Sequence, residues 1–458
     1  MPAEERALRS SALGKGNNAA LEADKPLETK LTRIAELAKR RPRVKLQTLI
    51  HAIDEESLTA AHQALSADKA AGIDAVTKEE YGKRLQENIA DLLERMKRQA
   101  YKPQPVKRAY IPKTDGKKRP LGIPTYEDKL VQKALNEILT VIYEPEFLDC
   151  SYGFRPARNC HDALKEISRI LETRRVSYVV DADIKGFFDN VDHDWMMKFL
   201  QERIQDTNLL RLIQRFLKAG VMEEGKISET EAGTPQGGVI SPTLANVYLH
   251  YVLDLWFMVK VRRECKGEAY LIRYADDFCC FFQYQEDVER FHGKLKERLE
   301  KFSLEISEEK TKIIEFGRYA KERKEKRGQG KPETFDFLGF THYCSNGKSG
   351  SYRVKRKTSR KKFIAKLKVI RDWLHKNMHT EISDLIKQLN AKLIGHYRYY
   401  GVTDNRSRIH AFRYLVRRKL FSVLNRRSQK RGLSWEGFVK LEERFALAKA
   451  RIYVNMYG

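Results

Sequence analysis

A pair of adjacent acids between two apolar runs constrains this chain more than any other feature. The segment Leu271–Phe282 begins with apolar residues, places Asp276 and Asp277 side by side, and ends in a second apolar run. This pattern predicts a β-hairpin with largely buried strands and both acids at the turn. Adjacent carboxylates near a core repel each other unless a cation such as Mg²⁺ neutralises them. A solvated Asp-Asp turn is the alternative, so the rest of the chain has to decide.

The charge balance indicates a polyanionic partner. The 458 residues carry a formal net charge of +26, and 41% of them are hydrophobic, as in a globular protein. No apolar run reaches the roughly 18 residues of a membrane-spanning helix, and the N-terminus lacks the apolar core of a secretory signal. We therefore expect no membrane partner and a cytoplasmic location. The six cysteines show no C-x-x-C spacing, which argues against a zinc site or a disulfide framework.

A second stretch brings acids to the end of an apolar strand. The run from Tyr178 leads into Asp181 and Asp183, and an aromatic pair, Phe187 and Phe188, follows. Residues two apart in a strand project to the same face, so one acid can be catalytic while the other supports it. A polar edge strand is the alternative, but it does not explain the aromatic pair directly after the acids.

Two further stretches are candidates for binding a nucleotide. Residues 106–123 alternate apolar and basic residues around a charged turn, which predicts a basic β-hairpin with Lys113 and Arg119 placed to hold a phosphate. The loop 233–238 contains two adjacent glycines, which allow close approach of the backbone to a ligand, and Gln236, which offers a donor and an acceptor. A solvated hairpin and a plain strand-to-helix turn are the alternatives.

The chain changes character beyond Gly347. Basic residues far outnumber acidic ones there, and the apolar residues keep helical spacing, which predicts a basic bundle of three or more helices. The segment His396–Gly401 interleaves cations with aromatics, so Arg398 could hold a phosphate and Tyr399 could stack on a base. A helical core could also use these tyrosines.

Taken together, seven blocks in sequence order resemble the motifs of group II intron-encoded reverse transcriptases. These blocks are IPK…RPLGIP, SYGFRP, VVDADIKGFFDNVDH, GTPQGGVISPTLANVYL, RYADD, LEISEEKTK and FDFLGF. The similarity covers roughly residues 46 to 458. Many relatives carry a C-terminal DNA-binding region and an endonuclease, and neither is evident here, so the chain resembles the form without the endonuclease.

The resemblance implies an α+β fold, a right-hand polymerase with fingers and palm followed by an α-helical thumb/maturase domain. Four regions are expected along the chain. They are a flexible N-terminal tail at 1–45, an N-terminal extension of the fingers at 46–105, the reverse transcriptase fingers and palm at 106–345, and the helical thumb/maturase domain at 346–458.

The resemblance also assigns roles within the site. Asp183, Asp276 and Asp277 would be the catalytic acids and would hold two Mg²⁺ ions, for which Mn²⁺ can substitute. The backbone carbonyl of Ile184 would be a further metal ligand, while Asp181 would be structural.

Other residues would bind the nucleotide and the RNA. Lys113 and Arg119 would hold the triphosphate, Gln236 would contact the nucleotide, and Lys310 would lie near the leaving pyrophosphate. Phe188, with Phe187 sharing the role, would exclude a ribose 2′-hydroxyl and so select deoxynucleotides. The candidates for binding RNA are Lys107, Arg108, Arg155, Arg398 and Tyr399.

The implied function is that of an RNA-directed DNA polymerase encoded by a group II intron. Its partners would be an RNA template, a DNA primer, dNTPs and the intron RNA, which it would bind as a ribonucleoprotein to assist splicing and retrohoming. The oligomeric state stays open. Two alternatives also remain: a maturase that only stabilises its intron RNA, and a related enzyme recruited away from its intron, for instance into phage defence.

Overall fold

The computed structural model describes residues 27–112, 118–223, 226–228, 232–234, 237–347, 349–427 and 432–457. The α-helices of five or more residues are α1 Leu27–Arg40, α2 Glu55–Ala64, α3 Lys78–Gly82, α4 Leu85–Lys97, α5 Tyr126–Tyr143, α6 Cys160–Thr173, α7 His193–Leu200, α8 Thr207–Leu217, α9 Ser241–Leu249, α10 Gln285–Glu300, α11 Ala320–Lys326, α12 Arg360–Lys376, α13 Ile382–Tyr400, α14 Arg406–Asn425 and α15 Trp435–Arg444. None of the helices in this described part of the chain is long and apolar enough to cross a membrane.

The strands are β1 Val106–Pro112, β2 Lys118–Ile123, β3 Tyr178–Asp183, β4 Val221–Glu223, β5 Lys226–Ser228, β6 Ala269–Tyr274, β7 Asp277–Phe282, β8 Lys312–Glu315, β9 Phe335–Phe337, β10 Phe340–Asn346 and β11 Tyr352–Thr358. They form three sheets with the orders β2-β1-β4-β5, β6-β7-β3-β8 and β11-β10-β9. Because β1 and β2 pair antiparallel, the predicted basic hairpin is confirmed.

The predicted acidic hairpin is confirmed as well. Strands β6 and β7 pair antiparallel with Tyr274 opposite Asp277, which leaves Ala275 and Asp276 as the turn. Every residue of β7 after Asp277 is buried, because the strand is apolar on both faces. The sheet with the order β6-β7-β3-β8, called the central sheet below, therefore carries Asp276 and Asp277 at one end of its β6-β7 pair, and the rest of β7 lies in the core.

The chain divides into two compact units. The first unit contains Met1–Asn159 and Ala182–Lys312, and the second contains Cys160–Asp181 and Ile313–Gly458. The sequence analysis placed a boundary at residue 346 instead. Strand β10 pairs with both β9 and β11, so residues on both sides of that position belong to one sheet in the second unit.

The N-terminal tail predicted at 1–45 is wrong for part of its range, because α1 is a packed helix. Its residues Lys30, Ile34 and Ala38 are spaced by one helical turn and are all buried. The fully buried Arg203 donates to the carbonyl oxygens of Ala38, Arg41 and Val44. Residues 1–26 lie outside the described part of the chain.

The helical region of the second unit has its own core. Buried apolar residues of α12, α13, α14 and α15 form one cluster that includes Phe363, Leu389, Phe412 and Phe438, which confirms the predicted bundle of three or more helices. The bundle begins later than expected, since β11 occupies the start of the range predicted as helical. The residues of β11 alternate between more and less buried positions, which is typical of a strand with one face inward.

Candidate active site

The turn between β6 and β7 places Asp276 in a partly buried position. Ala275 has a φ of 58°, a conformation that is uncommon for a residue with a Cβ atom. Burial raises the pKa of the Asp276 carboxyl, and the negative charge of Asp183 raises it further, while Arg119 and Arg273 act in the opposite direction. Asp183, Asp276 and Arg119 therefore lie close enough for their charges to interact.

Asp183 is the last residue of β3, which neighbours β7 in the central sheet. The chain then turns through Gly186, whose φ is 56°. Ile184 is buried and forms a bridge with Ile306. The hydrogen bonds of this bridge use the Asp183 carbonyl and the Lys185 amide, so the bridge does not consume the Ile184 carbonyl. The geometry is thus compatible with the ligand role implied for that atom.

Lys310 supplies a positive charge at this edge of the sheet. Its Nζ lies 2.5 Å from Oδ2 of Asp183, so an ammonium group neutralises the carboxylate in this structure. No group of three or more His, Cys, Asp or Glu side chains in the described ranges is arranged to hold a metal ion. The donor set still fits a hard cation, because Asp183 already binds a positive charge and the carboxylate of Asp276 lies within its field.

The two aromatic residues after the acids have different environments. Phe187 is only 2% exposed, and its ring packs against Phe188 and Tyr248. Phe188 is half-buried. A side chain as buried as Phe187 has no surface for a sugar, so the prediction that it shares in nucleotide contact is wrong. Instead, its ring packs against the ring of Phe188 and supports that side chain.

The glycine-rich loop begins directly against this aromatic turn. The amide of Thr234 donates to the Phe188 carbonyl, and the ring of His193 bonds to the Gly233 carbonyl. A Cβ at Gly233 would lie 2.9 Å from the Phe188 oxygen, so only glycine fits. Gly233 and Thr234, at the start of the block 233–238, therefore pack against the block identified at 178–193.

The second glycine of interest serves packing rather than a ligand. Gly237 has a φ of 119°, and a Cβ there would lie 2.7 Å from the carbonyl oxygen of Gly122 in β2. The sequence analysis expected a ligand to lie close to the backbone of this loop. At Gly237 the group that lies close is the Gly122 carbonyl of the basic hairpin. Gln236 lies outside the described residues, as does Lys113. Arg119 is exposed on β2.

Arg155, predicted to bind RNA, is buried instead. Its guanidinium forms an ion pair with Glu144 at 2.7 Å and donates to the carbonyl oxygens of Leu148 and Ser151. A group with these partners is unavailable to an RNA phosphate, so the prediction is wrong and Arg155 is a structural residue. Lys107 is exposed and Arg108 half-buried on β1, and their RNA-binding role stays a prediction.

The prediction that Tyr399 stacks on an RNA base is also corrected. Its hydroxyl donates to the Leu338 carbonyl at 3.0 Å, and its ring stacks on Phe340 with a centroid separation of 6.0 Å. These contacts support the alternative that a helical core uses the tyrosine, and they leave no open ring face established for a base. The neighbouring Arg398 is exposed, so its proposed contact with phosphate remains a prediction.

Sequence reasoning missed the residues that lie behind the acidic turn. Arg273 is fully buried in β6, where it forms an ion pair with the equally buried Asp254. Gly153, in the SYGFRP block, lies so close to the turn that a Cβ would approach the Ala275 nitrogen to 2.4 Å. The available signal was a charged residue inside an otherwise apolar strand, which needs a buried partner.

Comparison with known proteins agrees with these observations. Residues 111–342 match the family model of the reverse transcriptase (RNA-dependent DNA polymerase), and residues 360–438 match the group II intron, maturase-specific domain. The second match lies wholly in the second unit.

Individual relatives point the same way. The group II intron-encoded protein LtrA of Lactococcus lactis subsp. cremoris is 32% identical, with 78% of this chain and 70% of the relative covered. Protein YkfC of Escherichia coli is 33% identical over 59% of this chain and 80% of its own length. An uncharacterized 91 kDa protein in the cob intron of Schizosaccharomyces pombe is 37% identical over 39% of this chain and 22% of its own length. The chain therefore belongs to the group II intron-encoded reverse transcriptases, which are RNA-directed DNA polymerases with a maturase-specific domain.

Proposed function

We propose that this protein copies RNA into cDNA with Asp183, Asp276 and Asp277 as its catalytic acids, and that it binds its intron RNA to assist splicing and retrohoming. The electrostatic coupling between Asp183 and Asp276 supports the first part. Both acids sit at the end of a strand or at a turn of the same sheet, whose apolar interior fixes the backbone from which they project.

The acids and the Ile184 carbonyl would hold two Mg²⁺ ions. When bound, such ions stabilise the attacking and leaving oxygens of an in-line displacement at phosphorus. Lys310 forms an ion pair with Asp183, and with a cation bound at that carboxylate its ammonium would be placed to bind the pyrophosphate end of a nucleotide. Arg119 would bind the triphosphate, and we assign Lys113 and Gln236 to the same nucleotide.

Substitution of the acids tests the chemistry. Asp276→Ala and Asp183→Ala should each lower primer extension on an RNA template at least a thousandfold, while the affinity for RNA stays within about twofold. The control is Asp68→Ala, which removes an exposed carboxylate elsewhere in the first unit. Substantial extension by either mutant in saturating Mg²⁺ would reject the assignment.

Phe188 is the proposed sugar-selecting residue. It follows Asp183 by five positions. The ring of Phe187 packs against its ring, and the Thr234 amide donates a hydrogen bond to its carbonyl oxygen. Phe188→Ala should raise the use of rNTPs relative to dNTPs by about tenfold to a hundredfold, because a 2′-hydroxyl no longer clashes with the ring. The preference is measured as a ratio of kcat/KM values. An unchanged ratio would move this role to another residue.

Intron RNA binding is proposed for a basic groove in the second unit. The groove has a volume of about 620 Å³ and lies between α12 and α14. Its lining residues are Arg371, Asp372, His375, Lys419, Ser422, Val423 and Arg426. Arg371, Lys419 and Arg426 are permanently charged, and the one acid, Asp372, already pairs with Arg371. The groove therefore has a net positive charge, which favours a phosphate backbone.

The groove is tested by the double variant Arg371→Ala/Arg426→Ala. Binding of the intron RNA should weaken about tenfold, and the slope of log affinity against log salt should fall by about two. The control is Lys440→Ala/Lys449→Ala, which removes two exposed charges elsewhere in the second unit. An equal loss in both double variants would show that bulk charge, and not this groove, binds the RNA. Splicing of the intron, assayed with the same variants, tests the maturase role directly.

A further inference from the structure

The guanidinium of Arg273 is fully buried three residues before Asp276, and all five of its N–H groups have acceptors. Nε and Nη2 donate to the two carboxylate oxygens of Asp254 at 2.7 and 2.6 Å. Nη2 also donates to Ser151 Oγ at 2.8 Å, and Nη1 donates to Asn246 Oδ1 at 2.9 Å. The fifth bond runs from Nη1 to the carbonyl oxygen of Ala275 at 3.0 Å.

The bond to Ala275 distinguishes this network from an ordinary buried ion pair. A buried pair contributes little to stability compared with apolar residues of similar volume, so stability alone does not account for it. Ala275 adopts a left-handed conformation, which costs free energy for a residue with a Cβ atom. Arg273 holds the carbonyl of that residue, and the next residue along the chain is Asp276.

A second layer clamps the turn from the side of the SYGFRP block. The Arg273 amide donates to the Cys150 carbonyl, and the Tyr152 amide donates to the Arg273 carbonyl. The side chain of Asn246 donates to the Gly153 carbonyl at 2.8 Å, and Gly153 itself packs directly on the backbone of Ala275. The peptide of Ala275 therefore has fixed neighbours on two sides.

The chain continues from α9 into a π-helical segment, His250–Asp254, which supplies the negative charge that pairs with Arg273. Such segments often occur at functional sites. Arg298 donates to the carbonyl oxygens of Tyr251 and Val252, so the irregular backbone is satisfied inside the core. Asp254, the last residue of this segment, points its carboxylate at Arg273.

We infer that Arg273, held by Asp254 and Ser151, is a positioning residue that fixes the direction of the catalytic carboxylate of Asp276. This inference rests on the proposed function, because it presumes that Asp276 binds a cation. A lysine at position 273 keeps one ion pair with Asp254 but lacks the planar fork that reaches the Ala275 carbonyl. Groups that orient a metal ligand typically contribute tenfold to a hundredfold to metal affinity or activity.

The test measures binding of Mn²⁺ by electron paramagnetic resonance, without turnover, together with primer extension. Asp276→Ala identifies the share of Mn²⁺ binding that belongs to the site. Arg273→Lys should weaken that binding about tenfold and lower kcat tenfold to a hundredfold, with KM for dNTP within about threefold of the wild type. The control is Arg203→Lys, because Arg203 is equally buried in the same unit and pairs with Glu146.

The outcomes separate the inference from the proposed function. Normal Mn²⁺ affinity in Arg273→Lys, or an equal loss in Arg203→Lys, overturns the positioning role while the metal site stands. Normal affinity in Asp276→Ala rejects the metal site itself, and the positioning role with it. If Arg273→Lys does not fold, Ser151→Ala removes one acceptor of the guanidinium, and kcat should then fall about threefold at unchanged KM. An unchanged kcat in that variant overturns the inference.

Discussion

The two units of this protein differ in how completely the guanidinium groups of their buried arginines are hydrogen-bonded. In the first unit, the guanidinium of Arg273 has five acceptors, and that of Arg155 is bound by Glu144 and several backbone carbonyls. In the second unit, Arg356 is fully buried and donates from Nη2 to the Ser168 hydroxyl, but its Nε and Nη1 have no hydrogen-bond partner among the described residues.

The difference has a consequence for function. A fully satisfied network admits one arrangement, so it can hold the turn that carries Asp276 in place. A cation with few partners does not fix its surroundings in this way, and burial lowers the pKa of Arg356. The first unit thus uses buried charge for orientation. In the second unit, the role proposed for the basic residues is the positive potential that they would create for RNA.

Removal of Arg273 and, separately, of Arg356 should give the largest measurable difference between the two units. Arg273→Met should destabilise the first unit by about 3–5 kcal/mol, because it leaves the carboxylate of Asp254 buried without a partner. Arg356→Met should change the stability of the second unit by less than about 1 kcal/mol, because few bonds are lost. Urea unfolding, followed by amide hydrogen exchange in each unit, measures both. Equal losses would show that the two arginines are equivalent.

Glycines provide a second, smaller contrast. Gly153→Ala should cost about 1–3 kcal/mol, since its Cβ would meet backbone atoms of the acidic turn that cannot move aside. Polymerase activity should fall as well, because the turn must shift. The matched change in the second unit is Gly395→Ala, because a Cβ at this position within α13 meets nothing within 4 Å. That variant should be stabilised by about 0.5–1 kcal/mol. Thermal unfolding and primer extension test the pair, and a stable, active Gly153→Ala would contradict the packing argument.

Sequence patterns were sufficient for the parts of the fold that depend on local periodicity. The basic hairpin and the helical bundle followed from alternation and helical spacing, and the acidic hairpin followed from two apolar runs on either side of a polar turn, because burial leaves a direct mark on the sequence. The packed helix α1 was missed because its buried face is narrow and includes Lys30, a residue that reads as exposed.

The residues of the site were harder to assign when their roles depend on distant partners. Arg155, Tyr399 and Phe187 have the side chains expected of ligand-binding residues, and only tertiary contacts show that each is occupied within the protein. Arg273 was missed for the converse reason. Its function depends on Asp254, which a sequence motif does not connect to it.

The smallest predicted contrast is in pH dependence, and its sign differs between the units. Burial lowers the pKa of His396 to about 4, with the charge of Lys366 adding to the effect, and its ring stacks on Phe412. Burial raises the pKa of Asp128 in the first unit to about 6, although Tyr101 donates a hydrogen bond to it.

The folded state disfavours protonated His396, so this group should destabilise the second unit as the pH falls from about 6.5 towards 4, by an amount on the order of 1–2 kcal/mol. Asp128 has a folded pKa above its unfolded value, so its contribution to the first unit is greatest below pH 4 and is lost as the pH rises towards 6. Lowering the pH from 6 to 4.5 should therefore reduce the hydrogen-exchange protection factors, which correct the observed rates for the pH dependence of intrinsic exchange, more around α13 than around α5. His396→Phe should remove the pH sensitivity of the second unit, and Asp128→Asn should remove the opposite trend in the first. If His396→Phe left the acid sensitivity of α13 unchanged, other groups would have to carry it, and the contrast between the units would not extend to protonation.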